Sequence, residues 1–132
     1  MNVLLYMARP GASGEELVRS LATIVPKDHL EAISDLPSFS ERLRRPRDAT
    51  SIALIWNPST EDLRRILPLK DLLRAGRTVL VLADQDEDTV ALAHSLLPAF
   101  IAYVDEGNAE ILSVLRKLSG AAGPGPAPQA SF

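Results

Sequence analysis

The alternation of apolar and polar stretches along the chain predicts five β-strands separated by helices. Three of the apolar runs are nearly unbroken, which is typical of strands that are buried on both faces of a parallel sheet. A weaker run, Leu30 to Ile33, carries Glu31 and suits an edge strand. The strand starts lie roughly 21 to 27 residues apart, which is enough for one strand and one returning helix. The four stronger strand candidates are Val3 to Met7, Ile52 to Trp56, Val79 to Ala83 and Phe100 to Val104.

Polar residues at the starts of the intervening segments predict where the first two helices begin. Ser13 and Glu16 have the spacing of a capping box, in which the Ser13 hydroxyl accepts a hydrogen bond from the amide of Glu16. Residues 38–41 repeat the same pattern ahead of a second helix, which we expect to stop before Pro46.

Three further helices are predicted in the second half of the chain. Either Ser59 or Thr60 begins the third helix, and Pro68 inside that segment predicts a kink or two short pieces. The acidic residues 86–88 suit the positive end of a fourth helix. Asn108 is the predicted cap of a fifth helix.

The strand and helix pattern predicts one domain followed by a tail. Right-handed crossovers between five such strands favour an open sheet with helices on both faces, formed by residues 1–119. Residues 120–132 are rich in Gly, Pro and Ala, and they offer too little apolar surface to offset the entropy of ordering. We therefore expect a flexible tail.

Composition excludes several classes of function. The chain has 132 residues with 14 Lys and Arg against 17 Asp and Glu, and this acidic balance argues against nucleic acid as the main partner. The absence of cysteine excludes a disulfide framework, a thiolate nucleophile and a cysteine metal site. No apolar run approaches a membrane span, and Met1 and Asn2 lack the charged start of a secretory signal. The sequence therefore predicts a cytoplasmic protein that does not bind membranes.

The strand and helix order, the element lengths and the apolar core pattern of residues 2–118 resemble the receiver domain of two-component response regulators. The resemblance implies a flavodoxin-like, doubly wound α/β fold with the strand order 2-1-3-4-5. In that fold, ligands bind in the crevice at the carboxyl ends of the strands.

The positions that carry magnesium and phosphate in receivers do not match. A receiver ends its first strand with paired acidic residues that hold magnesium, whereas this chain has Met7 and Ala8, which offer no carboxylate oxygen. The phosphate-accepting aspartate of a receiver closes the third strand. Here that position is Trp56, or Asn57 if the register is shifted by one, and neither can act as a carboxylate nucleophile.

The later signature positions differ as well. Ala83 stands where a receiver has a serine or threonine, and Asp105 stands in place of a lysine that pairs with the phosphoryl group. An aspartate there would repel a phosphate by about 1–4 kcal/mol at about 4 Å. The resemblance thus implies a degenerate receiver that takes no phosphoryl group, has no catalytic residues, and uses neither a metal nor a cofactor.

The chain has all the strands and helices of a receiver but lacks the residues that accept phosphate. This combination predicts a signalling module that works by binding other proteins. Receivers generally present their fourth helix, fifth strand and fifth helix to partners or to a second copy. The resemblance places that surface around Leu92, His94 and Tyr103, and it allows a homodimer.

Two rival functions remain open from the sequence. The first is the binding of a nucleotide or flavin between residues 11–13 and residues 58–60, which fails if Trp56 fills that space. The second is an enzyme similar to the B subunits of sugar phosphotransferases. Residues 9–14 loosely resemble the phosphate loop of those subunits. The common type of those enzymes uses a cysteine, which this chain lacks, and residues 9–14 have no G-x-G-x-x-G spacing.

Other polar and aromatic residues each have two interpretations. The acidic residues near the ends of the fourth and fifth strands either form a divalent-cation site or cap helices. The arginines around the second helix either bind an acidic partner or form a solvated face. His29 and His94 are interpreted as surface or half-buried residues, and Trp56 with Tyr103 either forms an aromatic plug or packs in the core. The acidic residues are Asp84, Asp86, Glu87, Asp88, Asp105 and Glu106, and the arginines are Arg42, Arg44, Arg45 and Arg47.

Overall fold

A computed structural model of the chain describes residues 2–8, 11–45, 51–74, 76–83, 85–104 and 108–121. Its strands are β1 (Asn2–Tyr6), β2 (Leu30–Ile33), β3 (Ser51–Trp56), β4 (Arg77–Leu82) and β5 (Phe100–Tyr103). Its helices are α1 (Ala12–Leu21), α2 (Leu36–Arg44), α3 (Thr60–Ile66), α4 (Lys70–Leu73), α5 (Glu87–Ser95) and α6 (Asn108–Ala121). All five strands are parallel and lie in the order β2-β1-β3-β4-β5. The predicted flavodoxin-like α/β fold is therefore confirmed.

The sheet buries side chains on both faces, because successive residues of a strand point to opposite sides. On one face, strand residues such as Leu4 and Ile55 pack with α2, α3, α4 and α5, in what we call the α2–α5 cluster. On the other face, residues such as Leu5 and Leu54 pack with α1 and α6, in the α1/α6 cluster. All six residues of β3 are buried, which explains why its sequence is apolar without alternation.

The first two helices begin earlier than the capping pattern predicts. α1 starts at Ala12 with Gly11 as its N-cap, so Ser13 lies inside the helix and the predicted Ser13 capping box is wrong. α2 starts at Leu36 with Asp35 as its N-cap, whose carboxylate accepts a hydrogen bond of 2.9 Å from the amide of Ser38. A carboxylate is a strong acceptor for the free amides of a first turn, so Asp35 rather than Ser38 starts the helix.

The predicted starts of the third and fourth helices are confirmed. Ser59 caps α3 in a reciprocal capping box with Asp62. The helix stops before Pro68, and a 3₁₀ turn at Leu67–Leu69 leads into the short α4. Asp86 caps α5 by accepting from the amide and the hydroxyl of Thr89.

The last helix covers the outer part of the α1/α6 cluster. Ile111 and Leu115 are fully buried, and Asn108 is the first helical residue rather than the predicted cap. α6 continues to Ala121, two residues beyond the predicted end of the domain at residue 119. The predicted flexible tail lies mainly in residues 122–132, outside the described residues, so its flexibility stays a prediction.

None of the helices in the described ranges has the length and apolar character of a membrane span.

An arginine at the start of β4 holds the end of α6. The Arg77 Nη1 donates a hydrogen bond of 2.6 Å to the carbonyl of Leu118. The last carbonyls of a helix have no partner within it, so this bond satisfies one of them.

Replacing Arg77 with Met should lower the free energy of unfolding by about 1–2 kcal/mol, because the partly buried Leu118 carbonyl loses its donor. Urea unfolding measures the change, and faster amide exchange in the last turn of α6 should accompany it. The control is Arg74→Met, since Arg74 is exposed and lies 3.9 Å from Asp71. An equal loss in both variants would contradict the role given to Arg77.

The Asp35 cap makes one contribution to stability depend on pH. The hydrogen bond from the Ser38 amide lowers the pKa of Asp35 below its ordinary value of 3.8. A carboxyl whose pKa is lower in the folded state stabilises the fold above the unfolded pKa, and this stabilisation is lost as the pH falls through the folded pKa.

An Asp35→Asn variant keeps a capping oxygen but does not titrate. Its stability relative to the wild type should therefore rise as the pH is lowered from 7 to below 3.8. Urea unfolding at a series of pH values measures this difference, and an NMR titration of the Asp35 carboxyl gives its pKa directly. A titration midpoint at or above 3.8 would exclude the proposed effect of the cap.

Candidate functional site

The carboxyl ends of β1 and β3 carry apolar side chains where the receiver resemblance predicts a phosphorylation pocket. Met7 follows β1 and is 7% exposed, and Trp56 closes β3 and is 4% exposed. Both belong to the α1/α6 cluster. Ala8 is half-buried and packs against the α2–α5 cluster on the opposite face. Met7 and Trp56 thus come together in space, as the sequence predicts.

The first turn of α1 lies directly on these two side chains at Gly14. A Cβ atom at Gly14 would lie 2.9 Å from the Met7 Sδ and 3.5 Å from the Trp56 Nε1. The first of these distances is shorter than real Cβ contacts allow, so glycine lets α1 approach this closely. Nothing in the sequence marks Gly14 as a contact residue, because only the fold brings α1 onto Met7 and Trp56.

The remaining pocket positions are dispersed. Asn57 has a φ of 49°, a left-handed conformation that asparagine adopts more readily than most residues. The backbone N–H of Asn57 donates a 2.7 Å hydrogen bond to the carbonyl of Val81, and this bond joins the end of β3 to β4. Ala83 is exposed after β4. Asp105 lies outside the described residues, so the predicted repulsion of phosphate at that position stays a prediction.

The predicted aromatic plug of Trp56 and Tyr103 does not form. Trp56 is paired with Val81 and Val81 with Ala102, so these three residues share one row of the sheet. Tyr103 follows Ala102 and therefore points to the opposite face, where it packs against the α2–α5 cluster. Trp56 is buried in the core instead, which was the other interpretation.

The burial of Trp56 bears on the hypothesis of a nucleotide or flavin site. That hypothesis requires open space between residues 11–13 and residues 58–60. Trp56 is almost completely buried beneath Gly14, and Pro58 is buried beside it in sequence. Trp56 therefore fills part of the space that a nucleotide or flavin would need, and the structure does not support a planar ligand between residues 11–13 and residues 58–60.

The acidic residues at this end of the sheet act as helix caps as far as they are described. Asp86 accepts two hydrogen bonds from Thr89 at the start of α5, and Glu87 and Asp88 are exposed in its first turn. No group of three potential metal ligands occurs among the described residues. Asp84, Asp105 and Glu106 lie outside them.

Two of the three predicted interface residues share a surface. Leu92 and Tyr103 are half-buried and pack against the α2–α5 cluster. His94 is exposed, and two positions along a helix turn the side chain by about 200° away from Leu92. The other predicted surface histidine, His29, is exposed as well.

One exposed apolar residue, three positions after His94, was not predicted from the sequence. Leu97 follows α5, is 62% exposed and has a φ of 54°. A bulky residue in the left-handed region is unusual, and glycine is the common residue at this position after a helix. The absence of glycine there was the available sequence signal, but only the structure shows that the side chain is exposed.

The described arginines of the predicted basic patch have nearby polar partners. Arg42 forms a 2.7 Å ion pair with Glu31 on β2. Arg45 lies 3.9 Å from Glu41, and Arg44 contacts the hydroxyl of Ser40. Exposed pairs of this kind contribute little stability, but they do offset the positive charge of the patch. Arg47 lies outside the described residues.

A cavity of about 350 Å³ lies at the β2 edge of the sheet, away from the predicted crevice. Its lining mixes both charges, including the Arg42–Glu31 pair and the capping carboxylate of Asp35. The full lining is Glu31, Ala32, Ile33, Ser34, Asp35, Ser38, Glu41, Arg42 and Arg45. These side chains largely satisfy one another, so the cavity has no dominant charge that would select a ligand.

Comparison with known proteins adds no family to this description. No family model matches the sequence, and no curated protein matches it. The flavodoxin-like fold is established by the strand order and by the helices on both faces of the sheet.

Proposed function

We propose that this chain is a degenerate receiver domain that accepts no phosphoryl group and acts by binding another protein. The observation that carries the proposal is the packing of Met7 and Trp56 beneath Gly14 at the carboxyl end of a 2-1-3-4-5 sheet. In this fold, that end is where ligands bind and reactions take place.

Phosphorylation of a receiver needs a carboxylate nucleophile and a cation that neutralises the phosphate. Magnesium is held mainly by carboxylate and other oxygen ligands. Met7 and Trp56 supply neither a nucleophile nor a cation ligand, and both side chains are buried. The two side chains therefore stabilise the fold where a receiver would place its chemistry.

Binding of a protein partner is supported by the apolar surface around α5 and β5. Leu92, Ile101 and Tyr103 remain half-exposed above the α2–α5 cluster. Leu97 exposes most of its side chain at the end of α5. Apolar side chains that are exposed together often mark surfaces that are covered by a partner.

Incubation with acetyl phosphate and magnesium should leave the intact mass of the protein unchanged, because the described residues at the ends of β1 and β3 include no carboxylate to accept a phosphoryl group. Mass spectrometry under non-acidic conditions measures this, with an active receiver as the positive control. A stable phosphoryl adduct would overturn the proposal.

The variant Leu97→Asn should weaken partner binding while leaving the fold intact. Asparagine tolerates the left-handed conformation of Leu97 better than leucine does, and the Leu97 side chain is exposed. Crosslinking in the source cell, followed by affinity purification, compares the variant with the wild type. Sedimentation velocity tests whether the partner is a second copy of the chain.

The matched control is Arg64→Glu, which changes an exposed residue on α3. A partner that is retained by the control and lost by the Leu97→Asn variant supports the proposal. Equal recovery of every partner with all three proteins, together with a monomeric wild type, would argue against this surface.

A further inference from the structure

The N-terminus of α1 differs from the other capped helix starts in having no side chain to accept hydrogen bonds. Its N-cap is Gly11, which has no side chain and makes no side-chain capping hydrogen bond to the first turn. The backbone amides of residues 12, 13 and 14 have no partner within the helix. By contrast, Asp35, Ser59 and Asp86 each accept from an amide of α2, α3 and α5.

A second, independent observation lies beside this helix start. The indole N–H of Trp56 has no hydrogen-bond acceptor among the described residues, although the side chain is only 4% exposed. A buried indole N–H ordinarily finds an acceptor. The Nε1 lies 3.5 Å from the Cβ position of Gly14, closer than the neighbouring Cδ1 at 3.8 Å, so the N–H edge of the ring faces α1.

The two kinds of donor are close enough to bind one ligand. An amide nitrogen and the Cβ position of the same residue are about 2.5 Å apart. The Gly14 nitrogen and the Trp56 Nε1 are therefore separated by no more than about 6 Å, given typical backbone dimensions. Two oxygen atoms of a tetrahedral anion can accept from donors at this separation, since each hydrogen bond spans about 2.9 Å.

From these two observations we infer that the first turn of α1 and the indole of Trp56 form a binding site for a phosphate-class oxyanion. The site supplies the amides of the first turn, the positive end of the helix dipole and one buried indole donor. This inference goes beyond the proposed function and does not depend on it, because the anion binds reversibly and no bond to phosphorus is made.

Nearby acidic side chains lower the affinity of the site for an anion but do not prevent binding. Glu15 and Glu16 are on α1 and exposed, so water and salt screen their charge. We therefore expect dissociation constants in the millimolar range.

NMR of the full ¹⁵N-labelled chain tests the site directly, because Trp56 is the sole tryptophan and gives a single indole N–H signal. Titration with inorganic phosphate at constant ionic strength should shift the indole signal and the Gly14 amide along saturable curves with one dissociation constant. The amides of Ser38 and Thr89 serve as internal controls, since Asp35 and Asp86 already accept from them.

A parallel titration with glycerol 2-phosphate separates the two sources of such an anion. Saturation by both compounds supports the site and shows that a phosphomonoester fits, whereas saturation by inorganic phosphate alone supports a site for the free anion. An indole signal that moves equally with chloride, or that does not move with phosphate, overturns the inference.

A Trp56→Phe variant removes the N–H while keeping an aromatic ring. It should weaken phosphate binding at the Gly14 amide at least threefold, with the strand and helix signals of the spectrum retained. An unchanged dissociation constant in the folded variant overturns the role of the indole. If the variant does not fold, the wild-type titration still decides the inference through the indole signal.

Discussion

The fold depends on burying both faces of the central strands. β1, β3 and β4 place successive side chains on opposite sides of the sheet, and nearly all of those side chains are excluded from water. Apolar burial contributes roughly 25 cal/mol per Å², so neither face can be left open. Helices must cover both faces, with α1 and α6 on one side and α2 to α5 on the other.

This constraint also decides what happens at the carboxyl end of the sheet. The α1/α6 cluster extends to the carboxyl ends of β1 and β3 through Met7, which follows β1, and Trp56, which closes β3. Gly14 lets α1 close over them. The core thereby extends into the region where parallel α/β proteins usually place polar ligand groups.

Polar groups are satisfied locally, by caps at the helix starts and by Arg77 at the end of α6. These short-range bonds leave few charged side chains available for a ligand in the described part of the chain. The unsatisfied features are instead the first turn of α1 with the indole of Trp56, and the exposed Leu97. The proposed oxyanion site and the proposed partner surface each arise from one of these features.

The candidate site was only partly predictable. The sequence predicted that Met7 and Trp56 would meet, because both follow strands that end at the same edge of a parallel sheet. It did not reveal Gly14, since the close approach of α1 is a contact between segments that are distant in the chain. The predicted pairing of Trp56 with Tyr103 was wrong, because the register of β3, β4 and β5 places their side chains on opposite faces.

The sequence by itself determined the order of strands and helices, the break at Pro68 and the caps at Ser59 and Asp86. These are local properties, set by side-chain period, ring geometry and the reach of a polar side chain to its own helix. The tertiary structure alone decided the close approach of α1 at Gly14, the exposure of Leu97 and the burial of the Trp56 indole without an acceptor among the described residues. Each of those depends on which distant residues pack together, and no short stretch of sequence carries that information.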